Sequence, residues 1–342
     1  MAVLATDSAA ASRRILLGGA VGVVLLAVLS MMVGKYGSGP GPLISALRGV
    51  VNGTSDDSVL ATVFWSVRLP RVAAAVVIGA ALAAAGATFQ GLFRNPLVSP
   101  DLLGVSVGAS LGAVLGIFLS LPVLMIQLLG FGLGLVAVCL VYLIGGLIRA
   151  RDPVLTLVLV GIAIQALIGA GISLVKILAD PYDQLPAITY WLLGSMTAIT
   201  RFDVLSILPA VIIGVLPMVL LRWQMNVMTL GEDEARSLGI ETRRIRMVLI
   251  AGATLATAAT VSVTGIIGWI GLIIPHIARM LVGPDFRHLL PASMLCGAAF
   301  LLIVDMLARS VAAIEVPLGI LTACVGAPFF LWLLVVGKRG WA

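Results

Sequence analysis

The chain has 342 residues, of which 61% are Ala, Val, Ile, Leu, Met, Phe, Trp, Tyr or Cys, 38 are glycine and only 11% are charged, with a net charge of +6. A soluble globular domain has roughly 45–50% apolar and about 25% charged residues, so there are too few charges here to cover a body of this size in water. A cytosolic enzyme, a disordered chain and a collagen-like chain are excluded, and the basic residues, scattered between apolar stretches without a stripe or aromatic platform, argue against nucleic acid.

In chain order, the first stretch able to cross a bilayer, which takes about 20 apolar residues, is Ile15 to Gly34 after Arg13-Arg14. It exceeds the roughly 7–15 residues of a signal-peptide core and no clear small-x-small cleavage site follows, so it is expected to be retained. Pro70 to Leu92 is the second span, and Ala73, Ala74, Ala75, Gly79, Ala80, Ala83 and Ala87 suit it to close packing. The connection Arg94-Asn95-Pro96-Leu97-Val98-Ser99-Pro100-Asp101 follows. Its two prolines fix an ordered turn, and Asp101 favours the positive end of the next helix. Leu102 to Ile148 is free of charge and too long for one helix, so a break at Leu121-Pro122 makes it two. Gly104, Gly108, Gly112 and Gly116, every fourth residue, form a groove for another backbone.

Pro153 to Leu178 and Asp203 to Arg222 are further spans, and the polar segment Thr229 to Arg246 follows. It reads as a short helix with a Thr229/Glu232 capping box, Glu232, Asp233 and Glu234 at its positive end and Gly239 as terminator. A structured helix outside the membrane suits docking of a soluble partner, with simple loop ordering as the alternative. Arg243 to Thr264, a short Gly- and Pro-interrupted Gly265 to Val282, His288 to Arg309 and Pro317 to Val336 complete ten predicted spans. Cys139, Cys296 and Cys324 stand isolated in apolar stretches, and His276 and His288 form no HExxH pattern, so neither disulfide, metal site nor catalytic constellation is expected.

An even count puts both termini on one side. Placing them in the cytoplasm assigns 14 of the 21 basic residues to that face, as the positive-inside rule favours. On the other face Arg68 and Arg71 flank Leu69-Pro70, and Arg309 lies four residues after Asp305. Asp305 and Arg309 read as a satisfied pair or, with Arg68 and Arg71, as a basic rim awaiting an acidic partner. No span carries a central Asp, Glu or Lys of the kind ion-coupled carriers use, which argues against a secondary transporter. No GxxxxGK[ST] loop is present, so energy for active transport has to come from another subunit.

Four ordered motifs give the chain a family resemblance: Gln90-Gly91-Leu92-Phe93-Arg94-Asn95-Pro96-Leu97 with Pro100-Asp101-Leu102-Leu103-Gly104; Leu230-Gly231-Glu232 to Ala235-Arg236-Ser237-Leu238-Gly239; Gly265-Ile266-Ile267-Gly268-Trp269 to Pro275-His276-Ile277-Ala278-Arg279; and Pro317-Leu318-Gly319 with Gly326-Ala327-Pro328. The sequence resembles, over most of its length from Arg68 onward, the permeases of bacterial type II ABC importers for iron-siderophores, haem and cobalamin, the FecCD or BtuC-like family. The main departure is Trp269, where that family more often carries Phe.

The resemblance implies an all-α integral membrane protein, a single permease domain over residues 1–342 with ten helices per subunit. It implies assembly as a homodimer, or as a pseudo-dimer with a related permease, with one pathway between subunits. Gly231, Glu232, Asp233, Glu234, Ala235, Arg236, Leu238 and Gly239, within a loop of about 229–242, resemble the coupling helix that fits each of two ATPase subunits. Asn95 and Leu97 match positions near the cytoplasmic gate. Arg68, Arg71 and Arg309 match arginines that pair with glutamates of a periplasmic binding protein. His276 and Arg279 are expected to be structural. ATP and Mg belong to the partner ATPase, with no cofactor on this chain. The expected place is the bacterial inner membrane, and the expected cargo an iron-siderophore, with haem, cobalamin or molybdate as alternatives.

Overall fold

The computed structural model describes residues 2–34, 39–51, 59–148 and 153–336, and among them all regular structure is helical. The chain begins with α1 (Ala2–Met32), α2 (Pro40–Val51) and α3 (Val59–Thr62). A π-helical stretch, Val63–Arg68, then runs straight into α4 (Leu69–Phe93). After a 3-10 turn at Pro100–Leu103 come α5 (Val105–Phe118), α6 (Val123–Leu147), α7 (Pro153–Leu178), α8 (Gln184–Leu192) and α9 (Arg201–Leu220). The short α10 (Arg222–Met228) and α11 (Glu232–Ser237) lead to α12 (Thr242–Thr264), α13 (Ile270–Val282), α14 (Phe286–Ser310) and α15 (Leu318–Val336).

Among the described residues, seven helical segments are long and apolar enough to cross a bilayer, and three shorter apolar helices, at Val105–Phe118, Ile270–Val282 and Leu318–Leu333, occupy the places of the third, eighth and tenth predicted spans. The predicted break before Pro122 is present: α5 stops at Phe118, Ser120 takes a positive φ of 53°, and Pro122 caps α6.

Helix α4 forms the centre of the bundle, with 78% of its spanning window buried, and α12 follows with 72%. Their small residues are the reason. In a bilayer no hydrophobic force drives helices together, so association depends on close backbone approach. A Cβ at Gly79 would overlap the Gly297 carbonyl of α14, and one at Gly86 would overlap the Gly271 carbonyl of α13. Gly214 of α9 and Gly252 of α12 meet in the same way. The predicted four-glycine groove is corrected to three. Gly108, Gly112 and Gly116 lie against α6, whereas Gly104 precedes α5 as its left-handed cap at φ 82°.

The eighth predicted span starts with non-helical backbone. Gly265 and Trp269 have φ of 70° and 72°, and α13 occupies the remaining 13 residues. The unwound piece does not leave its polar groups facing lipid. Gly265 N–H donates to the Val261 carbonyl at 2.9 Å, the Gly265 carbonyl accepts from the Thr264 hydroxyl at 3.1 Å, and the Trp269 carbonyl accepts the Leu272 and Ile273 N–H groups at 3.1 and 2.9 Å. Irregular backbone at membrane depth requires this kind of protein cover.

Helices α1 and α7 differ from this core, with only 11% and 6% of their windows buried. Leu155, Leu159, Ile162, Leu167, Leu174 and Ile177 leave much of α7 uncovered. An apolar helix that buries so little within its own chain is built to meet lipid or another subunit.

Candidate functional site

The α11 end of the molecule carries the polar helix expected from the sequence. Gly231, at φ 145°, is its N-cap, so the predicted Thr229/Glu232 capping box is not formed. Thr229 instead ends α10, where its hydroxyl donates to the Asn226 carbonyl at 2.7 Å. The C-terminal stop occurs as predicted: Gly239, at φ 80°, donates its N–H to the Arg236 carbonyl at 2.9 Å, and Ile240 N–H reaches the Ala235 carbonyl at 3.1 Å. Ala235 is fully buried with Val227 and Ile240, which anchors one side of the helix. Asp233, Glu234, Arg236, Ser237 and Leu238 are exposed, and Leu230 and Leu238 show 61% and 63% of their surface. Charged residues beside two uncovered leucines make a surface fit for a protein partner.

Beneath it lies a cleft of about 460 Å³ lined in part by Arg94, Asn95, Thr229, His276, Arg279 and Phe286. Gln90 also lines it, with Nε2 donating to the Leu272 carbonyl at 2.9 Å and Oε1 accepting from Arg279 Nη2 at 3.2 Å. His276 makes an edge contact with Phe329. Arg94 adopts a left-handed φ of 48° that ends α4, after which Asn95 Oδ1 accepts the Leu97 N–H at 2.9 Å. Asn95 and Leu97 therefore share one tight turn, with Leu97 39% exposed. Asp101 follows in the 3-10 turn and accepts from the Ser106 hydroxyl. Burial raises its carboxyl above the ordinary range, against hydrogen bonds from Ser106 and Ser99 that lower it.

Two residues that the sequence reading missed connect this end to the spans. Asp285 caps α14 through the Arg287 N–H at 2.9 Å, and Asn226 of α10 uses both ends of its amide on the same corner. Nδ2 donates to Asp285 Oδ1 at 2.6 Å, and Oδ1 accepts the Phe286 N–H at 2.8 Å. Burial raises the Asp285 carboxyl, but hydrogen bonds from the Arg287 backbone and Asn226, with the charges of His288 and Arg287, bring it below its usual range. An Asp after Gly-Pro and before an apolar run is the available cap signal.

At the opposite end of α4, Arg68, Arg71 and Arg309 are brought together as the spacing suggested, but not as an open rim. They are 3%, 3% and 6% exposed. Arg71 Nε donates to Asp305 Oδ1 at 2.5 Å and its Nη1 pairs with Glu315 at 2.7 Å. Arg309 Nη2 lies 2.9 Å from Asp305 Oδ2 and 2.7 Å from Ser30 Oγ, and Nη1 donates to the Val33 carbonyl at 2.9 Å. Arg68 donates to the Met31 carbonyl at 2.7 Å and lies 4.7 Å over the Phe64 ring. Asp305 and Arg309 form the satisfied pair that was one of the two readings, and the arginines are buried for a physical reason: α1 ends here with carbonyls that lack helical partners, and buried guanidinium donors satisfy them. Glu315, 29% exposed at its side chain, also accepts from the Thr197 hydroxyl at 2.9 Å; the sequence reading missed it. Arg309 lines a surface cleft of about 580 Å³ with Met32, Val33, Gly39 and Pro40. Among the described residues no group of His, Cys, Asp or Glu is arranged to hold a metal ion.

Comparison with known proteins agrees with this arrangement. Residues 22–336 match the FecCD transport family. The molybdate import system permease MolB of Haemophilus influenzae is 37% identical over 329 residues, spanning 96% of this chain and 97% of that one. The cobalamin import system permease BtuC of Halobacterium salinarum is 43% identical over 79% of this chain and 72% of its own length. A solved inward-facing structure, assigned to the metal-chelate type of ABC transporter, superposes with a TM-score of 0.85 at 35% identity, covering 95% of this chain and 99% of that one. An all-helical bundle with uncovered apolar outer helices and a short polar helix exposed on one side is thus matched along nearly its whole length, and the chain belongs to the FecCD transport family as a permease subunit of an ABC importer, with ATP hydrolysis on a separate subunit.

Proposed function

We propose that this chain passes a metal chelate, of the iron-siderophore class, from a periplasmic binding protein to the cytoplasm across the bacterial inner membrane. The observation that carries the reading is the separation of two specialised ends by one buried helix, α4. One end presents the exposed α11, and the other gathers Arg68, Arg71 and Arg309. On this reading Gly231 to Gly239 is the coupling helix held by each of two ATPase subunits, which bind ATP and Mg. The turn carrying Asn95 and Leu97 belongs to the cytoplasmic gate, and both termini are cytoplasmic. The uncovered faces of α1 and α7 meet lipid and a second copy of the chain, with the pathway between copies.

Docking of the binding protein at the arginine end takes a form adjusted to the burial found there. Glu315 is the partly exposed carboxylate on Arg71, and Arg309 lines an open cleft, so an acidic side chain of the partner would compete for these guanidinium groups. Relatives named for an iron chelatin and for Fe(3+)-citrate support the iron assignment, at 39% and 38% identity. Molybdate is the second reading, favoured by the near-complete overlap with the molybdate permease.

The test is uptake of labelled iron-siderophore, haem, cobalamin and molybdate, one at a time, in cells lacking the gene and after restoring it. The expected result is loss of iron-siderophore uptake alone, recovered on complementation and blocked by vanadate. Loss of molybdate uptake instead selects the second reading, and uptake unaffected by vanadate overturns the importer assignment.

A further inference from the structure

We infer that Asn226 is the strut through which movement of α11 reaches α14 and, along that helix, the buried ion pairs at the far end of the molecule. The inference rests on the reading of α11 as the coupling helix and goes beyond it by naming the route into the membrane.

The geometry has three parts. Asn226 lies on α10, three residues before Thr229 and five before the Gly231 cap of α11. Met225, Val227 and Met228 beside it are buried, so α10 is packed against its neighbours and cannot shift without moving them. Its amide spends both a donor and an acceptor on the first residues of α14, at 2.6 Å to Asp285 Oδ1 and 2.8 Å from Phe286 N–H. Two bonds from one planar group fix orientation as well as distance, so α10 cannot turn without pulling the start of α14. Phe286, 2% exposed, is wedged where a Cβ on Gly91 of α4 would collide with its ring.

Helix α14 then runs 25 residues, about 37 Å at 1.5 Å per residue, without leaving the bundle. At its other end Asp305 holds Arg71 of α4, and Arg309 holds the end of α1 through Ser30 and Val33. The Gly79/Gly297 contact pins α14 against α4 midway. A tilt imposed at Asp285 pivots on that crossing and is felt at Asp305. Asn226 is a positioning residue here; it need touch neither nucleotide nor cargo.

The experiment uses the complete complex of permease and ATPase in proteoliposomes. A cysteine is introduced at Ser310, exposed at the end of α14, and its labelling by an impermeant maleimide is compared with and without ATP and vanadate, against the parent lacking Ser310→Cys. The strut predicts a nucleotide-dependent change in labelling. Asn226→Asp, which places a second carboxylate on Asp285, should reduce that change about tenfold, as expected for losing a hydrogen bond to a charged group. Asn226→Asp with Asp285→Asn restores a donor and acceptor with polarity reversed and should return the change to the level of Ser310→Cys alone. A full labelling change in Asn226→Asp overturns the strut.

If the single variant fails to accumulate in the membrane, the double variant carries the test, and its accumulation without a labelling change overturns the proposal. Arg236→Glu on α11 separates the two readings. Loss of the change in Arg236→Glu but not in Asn226→Asp leaves the coupling helix standing and removes the strut. A full change in both removes the coupling helix and the strut together.

Discussion

The two ends of this bundle treat charge in opposite ways. At the arginine end Arg71 and Asp305 are 4% and 0% exposed at their side chains and only 2.5 Å apart. At the α11 end Arg244 and Glu241 form a pair at 2.9 Å while 78% and 65% exposed. The difference lies in what each arrangement must do. Buried pairs fix a geometry and are costly to break, because removing one partner strands a charge where water cannot reach it. Exposed pairs contribute little and leave their surface free for a partner. One end is therefore built to hold α1, α4 and α14 together, and the other keeps its charges at the surface.

The largest effect expected is from Asp305→Ala. It leaves Arg71 with Glu315 alone and Arg309 with Ser30 and the Val33 carbonyl, and a broken buried pair costs about 3–5 kcal/mol. The variant should show a sharply reduced monodisperse fraction and a lower melting temperature in detergent. A melting temperature equal to that of the parent would show that the arginine end is not the firmer one. Arg236→Glu is the matched change at the other end and should leave melting unchanged. Its effect should be on function instead, with ATP hydrolysis by the complex uncoupled from uptake; normal uptake would remove α11 from the coupling role.

Much of this contrast could be read in the sequence, and the misses have physical causes. The spans followed from apolar runs and prolines, because a bilayer demands about 20 apolar residues whatever the neighbours are. The grouping of Arg68, Arg71 and Arg309 followed from their places at span ends. Their burial did not, since the groups that cover them, Met31, Ser30 and Val33, lie 37 or more positions away.

Capping gives the sharpest case. Thr200 and Asp203 form a complete capping box, with the Thr200 side chain accepting the Asp203 N–H and Asp203 accepting the Thr200 N–H. Thr229 and Glu232 have the same spacing and form none, because Gly231 takes φ 145° and becomes the cap itself. Spacing alone cannot tell which residue will adopt that backbone. The Asn226 corner was hidden for the related reason that its two halves are 59 and 60 positions apart.

Glu315→Gln probes the boundary between the two kinds of charge, since this carboxylate is both ion-paired and partly exposed. The change removes one of the two acidic partners of Arg71 and should lower stability by about 1 kcal/mol, less than Asp305→Ala, because water reaches the site. It should also tighten binding of the periplasmic partner by freeing Arg71 for an incoming carboxylate. A weaker complex would mean that Glu315 helps the partner dock.

The smallest effect is expected from pH, and its sign follows from Asp285. Its folded-state carboxyl lies below the ordinary range, so folding favours the charged form. The stability it contributes is complete above the carboxylate value of the unfolded chain and is lost as pH falls through the lower folded value. The parent should therefore lose more stability than Asp285→Asn when pH is taken from neutral into the range where ordinary carboxylates protonate. With the Asp285 side chain 44% exposed, solvent screening keeps that difference small. Melting curves of the two proteins that stay parallel over that range would show that the charge of Asp285 is not what holds the Asn226 corner, and would leave the neutral hydrogen bonds of that amide to hold it alone.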